Sequence, residues 1–253
     1  MSQILLRNVN YMYHTSACDK QALYDVNLEI EKGGFYCILG KSGCGKSTLL
    51  KLLAGLLKPS SGEVRFNDKP LVGETADAGI VFQDYTLFPW MTVEKNISFA
   101  VKHKNKVPKA KAKELALEIL SSVGLLDAKD LYPSQLSGGM RQRAAIARAL
   151  ALDTDTLLLD EPFGALDAKN RADLQLLLLD LWEKSEQKKT VIMVTHDINE
   201  AILLADKIVF MTPGRVKETI TVDLPRPRSS VYNFEGYRRK LIKLLDYKDE
   251  DNE

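Results

Sequence analysis

The chain alternates short, uniformly apolar runs with longer stretches whose apolar residues recur every three or four positions. Residues 35–39, 80–82, 156–159, 191–195 and 208–211 are apolar at nearly every position and too short for helices, which predicts buried strands. Residues 109–123 and 140–150 carry the helical spacing. Strands alternating with helices predict an α/β fold with a largely parallel sheet. Residues 4–30 alternate like half-buried β structure around a turn, and residues 62–66 have the composition to join them in a small antiparallel sheet. Composition turns helical between Gln83 and the run at 156, which reads as an inserted helical subdomain. After Met211, Leu224-Pro-Arg-Pro-Arg228 breaks regular structure. Phe234, Tyr237, Leu241, Leu244 and Leu245 then predict a short amphipathic helix, followed by a charged tail from Asp246.

Polar residues follow four of the five apolar runs directly: a glycine-rich loop after 39, Gln83, Asp160-Glu161 and His196. In open α/β sheets ligands bind outside the carboxyl ends of the strands, so these groups are expected to converge on one site.

Composition narrows the class without deciding it. The 253 residues are 45% hydrophobic and 27% charged with a net charge of +1, an ordinary globular balance that gives no reason to expect nucleic acid. The lysines over 102–113 alternate with apolar residues and read as the solvated face of a helix. The longest apolar stretches, 49–57 and 174–182, are interrupted by Lys51, Gln175 and Asp180 and fall short of the roughly 20 residues of a membrane span. The N-terminus shows no secretory pattern, so the protein is expected in the cytosol. Cys18, Cys37 and Cys44 form no C-x-x-C pair, which disfavours a disulfide framework and a zinc site.

The loop after the first apolar run reads Gly40-Lys41-Ser42-Gly43-Cys44-Gly45-Lys46-Ser47-Thr48, a full match to G-x-x-x-x-G-K-[ST]. Its glycines allow successive backbone N–H groups to close around anionic oxygens at a helix N-terminus. Lys46 would reach the β and γ phosphates, and the Ser47 hydroxyl would ligate Mg²⁺. Thr48 is expected to open the helix. The motif predicts a nucleoside triphosphate site, with Cys44 as a tolerated small residue within it.

A second anion motif, Leu136-Ser137-Gly138-Gly139-Met-Arg-Gln-Arg143, again places glycines after a serine at a predicted helix start. One nucleotide does not need two such sites in one chain. With these motifs, in this order from Leu5 to about Met211, the sequence resembles the ATP-binding cassette (ABC) family. The resemblance implies a P-loop NTPase (RecA-like) core with an N-terminal antiparallel β subdomain. It also implies that the signature of one subunit closes over the γ-phosphate held by a second. Within that resemblance Asp160 would hold Mg²⁺ through water, and Glu161 would polarise the attacking water as general base. Gln83 resembles the glutamine that senses Mg²⁺ and water, and His196 the switch histidine that contacts the γ-phosphate. Ala165-Leu-Asp167 matches the loop at the dimer interface, and Tyr13 is placed like the aromatic that stacks on adenine, with Tyr11 as competitor. Lys41 stands where the family often has proline and Gly34 where it often has glutamate; neither puts nucleotide binding in doubt.

The expected organisation is an ABC ATPase domain over 1–230, its helical subdomain at about 84–152, then a C-terminal helix and tail over 231–253. The compact interval between the two glycine motifs disfavours relatives acting on DNA, and the single cassette disfavours ribosome-acting ones. Lipid or lipoprotein export and cell-division complexes remain an alternative. Asp84-Tyr85-Thr-Leu-Phe88-Pro-Trp90-Met-Thr-Val resembles the surface that receives a permease, with core of the helical subdomain as the lesser reading of Tyr85, Phe88 and Trp90. Taken with Tyr132-Pro-Ser-Gln-Leu and Glu161-Pro-Phe-Gly, it is similar to importer ATPases for nitrate, sulfonates and taurine. The resemblance therefore implies ATP and Mg²⁺ as cofactors. The implied partners are a second ATPase subunit as a homodimer, an integral membrane permease and, indirectly, an extracytoplasmic solute-binding protein. The implied location is the cytoplasmic face of the membrane.

Overall fold

Uniformly apolar runs become fully buried strands, and alternating runs become strands with one face outward. In the structure, a computed structural model, residues 2–14, 18–71, 77–82, 87–164, 166–185, 188–226, 228 and 234–246 are described. The first half holds strands β1 (Ser2–His14), β2 (Asp19–Glu31) and β3 (Phe35–Gly40), helix α1 (Lys46–Leu53), and strands β4 (Ser61–Phe66), β5 (Lys69–Pro70) and β6 (Ala78–Val81). Helices α2 (Val93–Asn105), α3 (Lys109–Ser122) and α4 (Gly138–Leu150) follow. The remainder is β7 (Thr156–Asp160), α5 (Ala168–Glu183), β8 (Thr190–Thr195), α6 (Ile198–Leu204), β9 (Lys207–Thr212), β10 (Arg215–Thr221) and α7 (Glu235–Asp246).

The chain divides into two compact units, one of Met1–Ala76 with Ile192–Glu253 and one of Asp77–Val191. In the first, β2-β1-β4-β5 form an antiparallel sheet, and β10-β9-β3-β8 lie side by side in another. Every residue of β3 and β8 is buried, as expected of strands covered on both faces. β9 runs parallel to β3, with Gly40 opposite Met211, and β10 returns antiparallel along β9. β10 was not expected: Arg-Val-Lys-Glu-Thr-Ile-Thr buries only Ile220, the pattern of an outer strand. α7 confirms the helix expected after the Pro-Arg-Pro-Arg segment, and its Leu241 is fully buried.

That segment is tied down by a buried arginine. Arg228 donates to the carbonyls of Ile202 and Ala205 at the end of α6, and to those of Val222 and Leu224. Neighbouring Arg226 pairs with Asp206, whose other carboxylate oxygen accepts from the Phe35 amide at 2.9 Å. Carbonyls left over at a helix end are thereby satisfied inside the protein.

In the second unit β6 runs parallel to β7. Helices α2, α3 and α4 pack around an apolar cluster that includes Val93, Ile97, Ala116, Leu120 and Ala144. Thr92 caps α2 by accepting from the Lys95 amide. β6 begins two residues before the expected run, and α1 two residues before Thr48.

Candidate functional site

β3 ends in the phosphate loop, and the backbone there has little freedom for side chains. A Cβ on Gly40 would lie 2.5 Å from the Met211 carbonyl oxygen. Gly45, the cap of α1, has φ +107°, and a Cβ there would lie 2.8 Å from the Ala22 carbonyl oxygen. Glycine at both positions is a steric requirement. Lys46 is buried at 5% exposure, and its ammonium donates to the carbonyls of Gly40 (2.8 Å) and Lys41 (2.9 Å), drawing the loop around its own cation. Lys41, Ser42, Gly43 and Ser47 are exposed, so the mouth of the loop and the first-turn hydroxyl face outward. Cys44 is buried, and burial raises its thiol pKa above the ordinary cysteine value.

Tyr13 reaches this loop from β1, its hydroxyl 3.1 Å from that of Thr48. Tyr11 meets Tyr13 edge-on with ring centroids 4.8 Å apart. Both tyrosines stand together, but only the Tyr13 hydroxyl is seen bonding to the phosphate-loop helix. At the end of β8, Thr195 is buried and His196 exposed, while Asp197 caps α6 by accepting from the amides of Asn199 and Glu200.

In the second unit β7 is buried along its whole length and ends at Asp160, which is 8% exposed. Glu161 turns the chain in the left-handed region at φ 46°, uncommon for a residue with a Cβ. Its carbonyl accepts from the Gly164 amide at 3.2 Å, and a Cβ on Gly164 would lie 3.8 Å from Glu161 Oε2. Phe163, fully buried, anchors this turn. Ser137 caps α4 by accepting from the Met140 amide at 3.3 Å, with Gly138 and Gly139 as the first helical residues. A Cβ on Gly139 would lie 3.4 Å from Asn170 of α5. Asp167 caps α5, and the Asn170 amide that it accepts from holds its carboxyl pKa below the usual value. Signature and interface loop are thus neighbours. Gln83, Tyr85 and Ala165 lie outside the described residues.

Sequence reasoning missed residues whose partners are backbone or aromatic rings. Asn96, fully buried, accepts from the Phe88 amide at 2.7 Å and donates to the carbonyls of Phe88, Met91 and Thr92. It pins a loop on which Trp90 is 69% exposed, so Trp90 is not core. Phe88 lies 5.4 Å from Trp90 and 5.3 Å from Phe99 by ring centroid, His103 stacks on Phe99, and the Arg148 guanidinium sits 4.5 Å from the centre of Phe88. Helical spacing alone gave Phe99 and Arg148 no separate signal.

The sequence profile described as "ABC transporter" matches residues 23–164, more than half of the chain. This chain belongs to the ABC transporter family. An uncharacterised ABC transporter ATP-binding protein of Methanocaldococcus jannaschii is 45% identical over 246 residues, 96% of this chain and 91% of that protein. The aliphatic sulfonates import ATP-binding protein of Bacillus licheniformis is 48% identical over 227 residues, covering 88% and 87% of the two chains. The bicarbonate transport ATP-binding protein of Synechococcus elongatus is 44% identical over 229 residues, covering 89% and 82%. Among solved structures, a dimeric ATP-binding cassette in a post-hydrolysis state with ADP and Pi superposes with TM-score 0.79 at 34% identity, over 88% of this chain and all of that one. The protein is an ABC ATPase with the P-loop cassette fold. Among the described residues no helix is long and apolar enough to cross a membrane.

Proposed function

We propose that this ABC ATPase drives an import system for a small solute, working as a head-to-tail pair of identical copies on a separate permease at the cytoplasmic face of the membrane. The observation that carries the importer reading is the exposed Trp90 shelf, held by Asn96 on a chain 48% identical to a sulfonate import subunit. Core aromatics would be covered; this one is presented on a loop held by Asn96, as a docking surface requires. The names of the relatives, for sulfonates and bicarbonate, support a small solute such as nitrate, a sulfonate, taurine or a related small organic compound. An extracytoplasmic binding protein would select it.

In this reading ATP lies with its phosphates in the loop of residues 40–48, where backbone N–H groups, Lys46 and the exposed Ser47 hydroxyl receive them. Tyr13 is the adenine platform. Ser47 and Gln83, with Asp160 acting through water, would hold Mg²⁺. Hydroxyl and carboxylate oxygens that leave most positions to water and phosphate fit a magnesium ion, which when bound neutralises phosphate charge. Glu161 accepts the proton of the attacking water, and His196 and Gln83 position that water against the γ-phosphate. Ser137, Gly138 and Gly139 of the second copy close over the same phosphate, and Asp167 lies at the interface between copies. Closure and reopening of the pair then move the permease.

Affinity purification of the tagged chain from gently solubilised native membranes, followed by mass spectrometry, tests the assignment. Recovery of a multi-span permease with a solute-binding protein is expected. Recovery of ribosomal, DNA-associated, lipid-export or division proteins would overturn the importer reading and leave the ATPase chemistry intact.

A further inference from the structure

A helix capping box joins two side chains to two backbone amides: the cap residue accepts from the third helical amide, and the third residue's carboxylate returns to the amide of the cap. α6 has the residues for one, with Asp197 as cap and Glu200 in the third helical position. Its first half is regular, since Asp197 Oδ1 accepts from the amides of Asn199 (2.7 Å) and Glu200 (3.3 Å). The second half runs through an intermediary. Glu200 Oε2 accepts from the Thr195 hydroxyl at 2.6 Å, and that hydroxyl oxygen accepts from the Asp197 amide at 3.1 Å.

The inserted hydroxyl changes what the box holds. A direct return would fix Asp197 alone, whereas the relay also fixes Thr195, and His196 is the single residue between them. Donation of the only hydroxyl proton to Glu200 leaves the oxygen's lone pairs to face the Asp197 amide, so the carboxylate decides the orientation of the whole relay. Thr195 is 2% and Glu200 7% exposed, and such a bond is strong where water is excluded. The His196 side chain is itself exposed.

We propose that Glu200 is a positioning residue for catalysis: acting through Thr195, it clamps the backbone on both sides of His196 and holds the imidazole ready for the γ-phosphate. The role rests on the reading of His196 as the switch histidine. It predicts that the relay sets turnover and leaves nucleotide binding alone, because the phosphate loop is built from other residues.

The test is steady-state ATPase kinetics and thermal melting of the full chain carrying Thr195→Val, Glu200→Ala, both together, Thr195→Ser, Glu200→Gln or His196→Ala. Loss of one hydrogen bond to a charged group is expected to lower kcat about tenfold or more in Thr195→Val and in Glu200→Ala, with KM for ATP within about threefold of the parent. The double variant should fall no further than the worse single one, since both break the same relay. Thr195→Ser keeps the hydroxyl and Glu200→Gln keeps an acceptor, so both should recover most of the turnover. If folded Thr195→Val and Glu200→Ala keep parental kcat while His196→Ala loses it, the positioning role is wrong and the histidine reading stands. If His196→Ala turns over ATP normally, both fall. Melting of both deletion variants without rescue by Ser or Gln would make the relay a helix cap and nothing more, which also overturns the proposal.

Discussion

The hydroxyl of Tyr13 lies 3.1 Å from the hydroxyl of Thr48, joining the first strand of the chain to the first turn of the phosphate-loop helix. Thirty-five positions separate the two residues, and the contact explains how a tyrosine on the antiparallel sheet comes to stand beside a loop at the end of a parallel strand. Tyr11, two residues back on β1, meets the ring of Tyr13 edge-on at 4.8 Å.

If Tyr13 is the adenine platform, Tyr13→Ala should weaken ATP binding about tenfold or more, the range for loss of one base-stacking aromatic. Tyr13→Phe keeps the ring and loses the bond to Thr48, so it should stay close to the parent. Fluorescence titration with a nucleotide analogue checks both, and a larger loss in Tyr11→Ala would transfer the role to Tyr11.

Lys46 holds the loop with two charge-assisted bonds, which in the proposed reading give way to phosphate oxygens when ATP binds. Lys46→Ala should lower ATP affinity by about 10- to 100-fold, as expected for losing charged hydrogen bonds. Isothermal titration with ATP measures it; unchanged affinity would contradict the phosphate-loop assignment.

Trp90 is 69% exposed, and its removal should change stability by no more than about 0.5 kcal/mol, typical of surface sites. Trp90→Ala is therefore expected to melt like the parent and to keep basal ATPase activity, while recovering less permease from membranes. A large loss of melting temperature would return Trp90 to a structural role.

Arg228 satisfies four carbonyl groups from inside the protein, and burial pulls its guanidinium pKa below the usual value without discharging it. Arg228→Met leaves those acceptors without their donor and should cost about 3 kcal/mol of stability. Urea denaturation of the variant against the parent reads this directly, and a cost below about 1 kcal/mol would show that other groups take over the carbonyls.

The parts legible in sequence were those written in consecutive residues. Uniform apolarity from 35 to 39 became β3, and the glycines and lysine after it became a loop whose torsions and contacts demand those residue types. Ser137 and Asp167 were recognisable for their motifs, and each proved to be a helix cap as well. β10 escaped notice because exposed Lys217 and Thr219 and half-buried, charged Glu218 leave no apolar run. Asn96 and Arg228 escaped for another reason: their partners are backbone carbonyls and amides, which no residue letter marks. The two readings of Trp90, core or surface, differ only in what surrounds it, a property of the folded chain. The relay of Thr195 and Glu200 was hidden in the same way, since Thr-His-Asp-x-x-Glu reads equally as a plain helix cap.

The most direct test of the account is single-turnover and steady-state ATP hydrolysis by Glu161→Gln beside the parent, with nucleotide binding and oligomeric state measured in the same samples. Removing the general base is expected to lower turnover by about a hundredfold or more while ATP still binds, so that an ATP-bound dimer accumulates. Parental turnover in a folded, ATP-binding Glu161→Gln would contradict the account by taking the base away from Glu161.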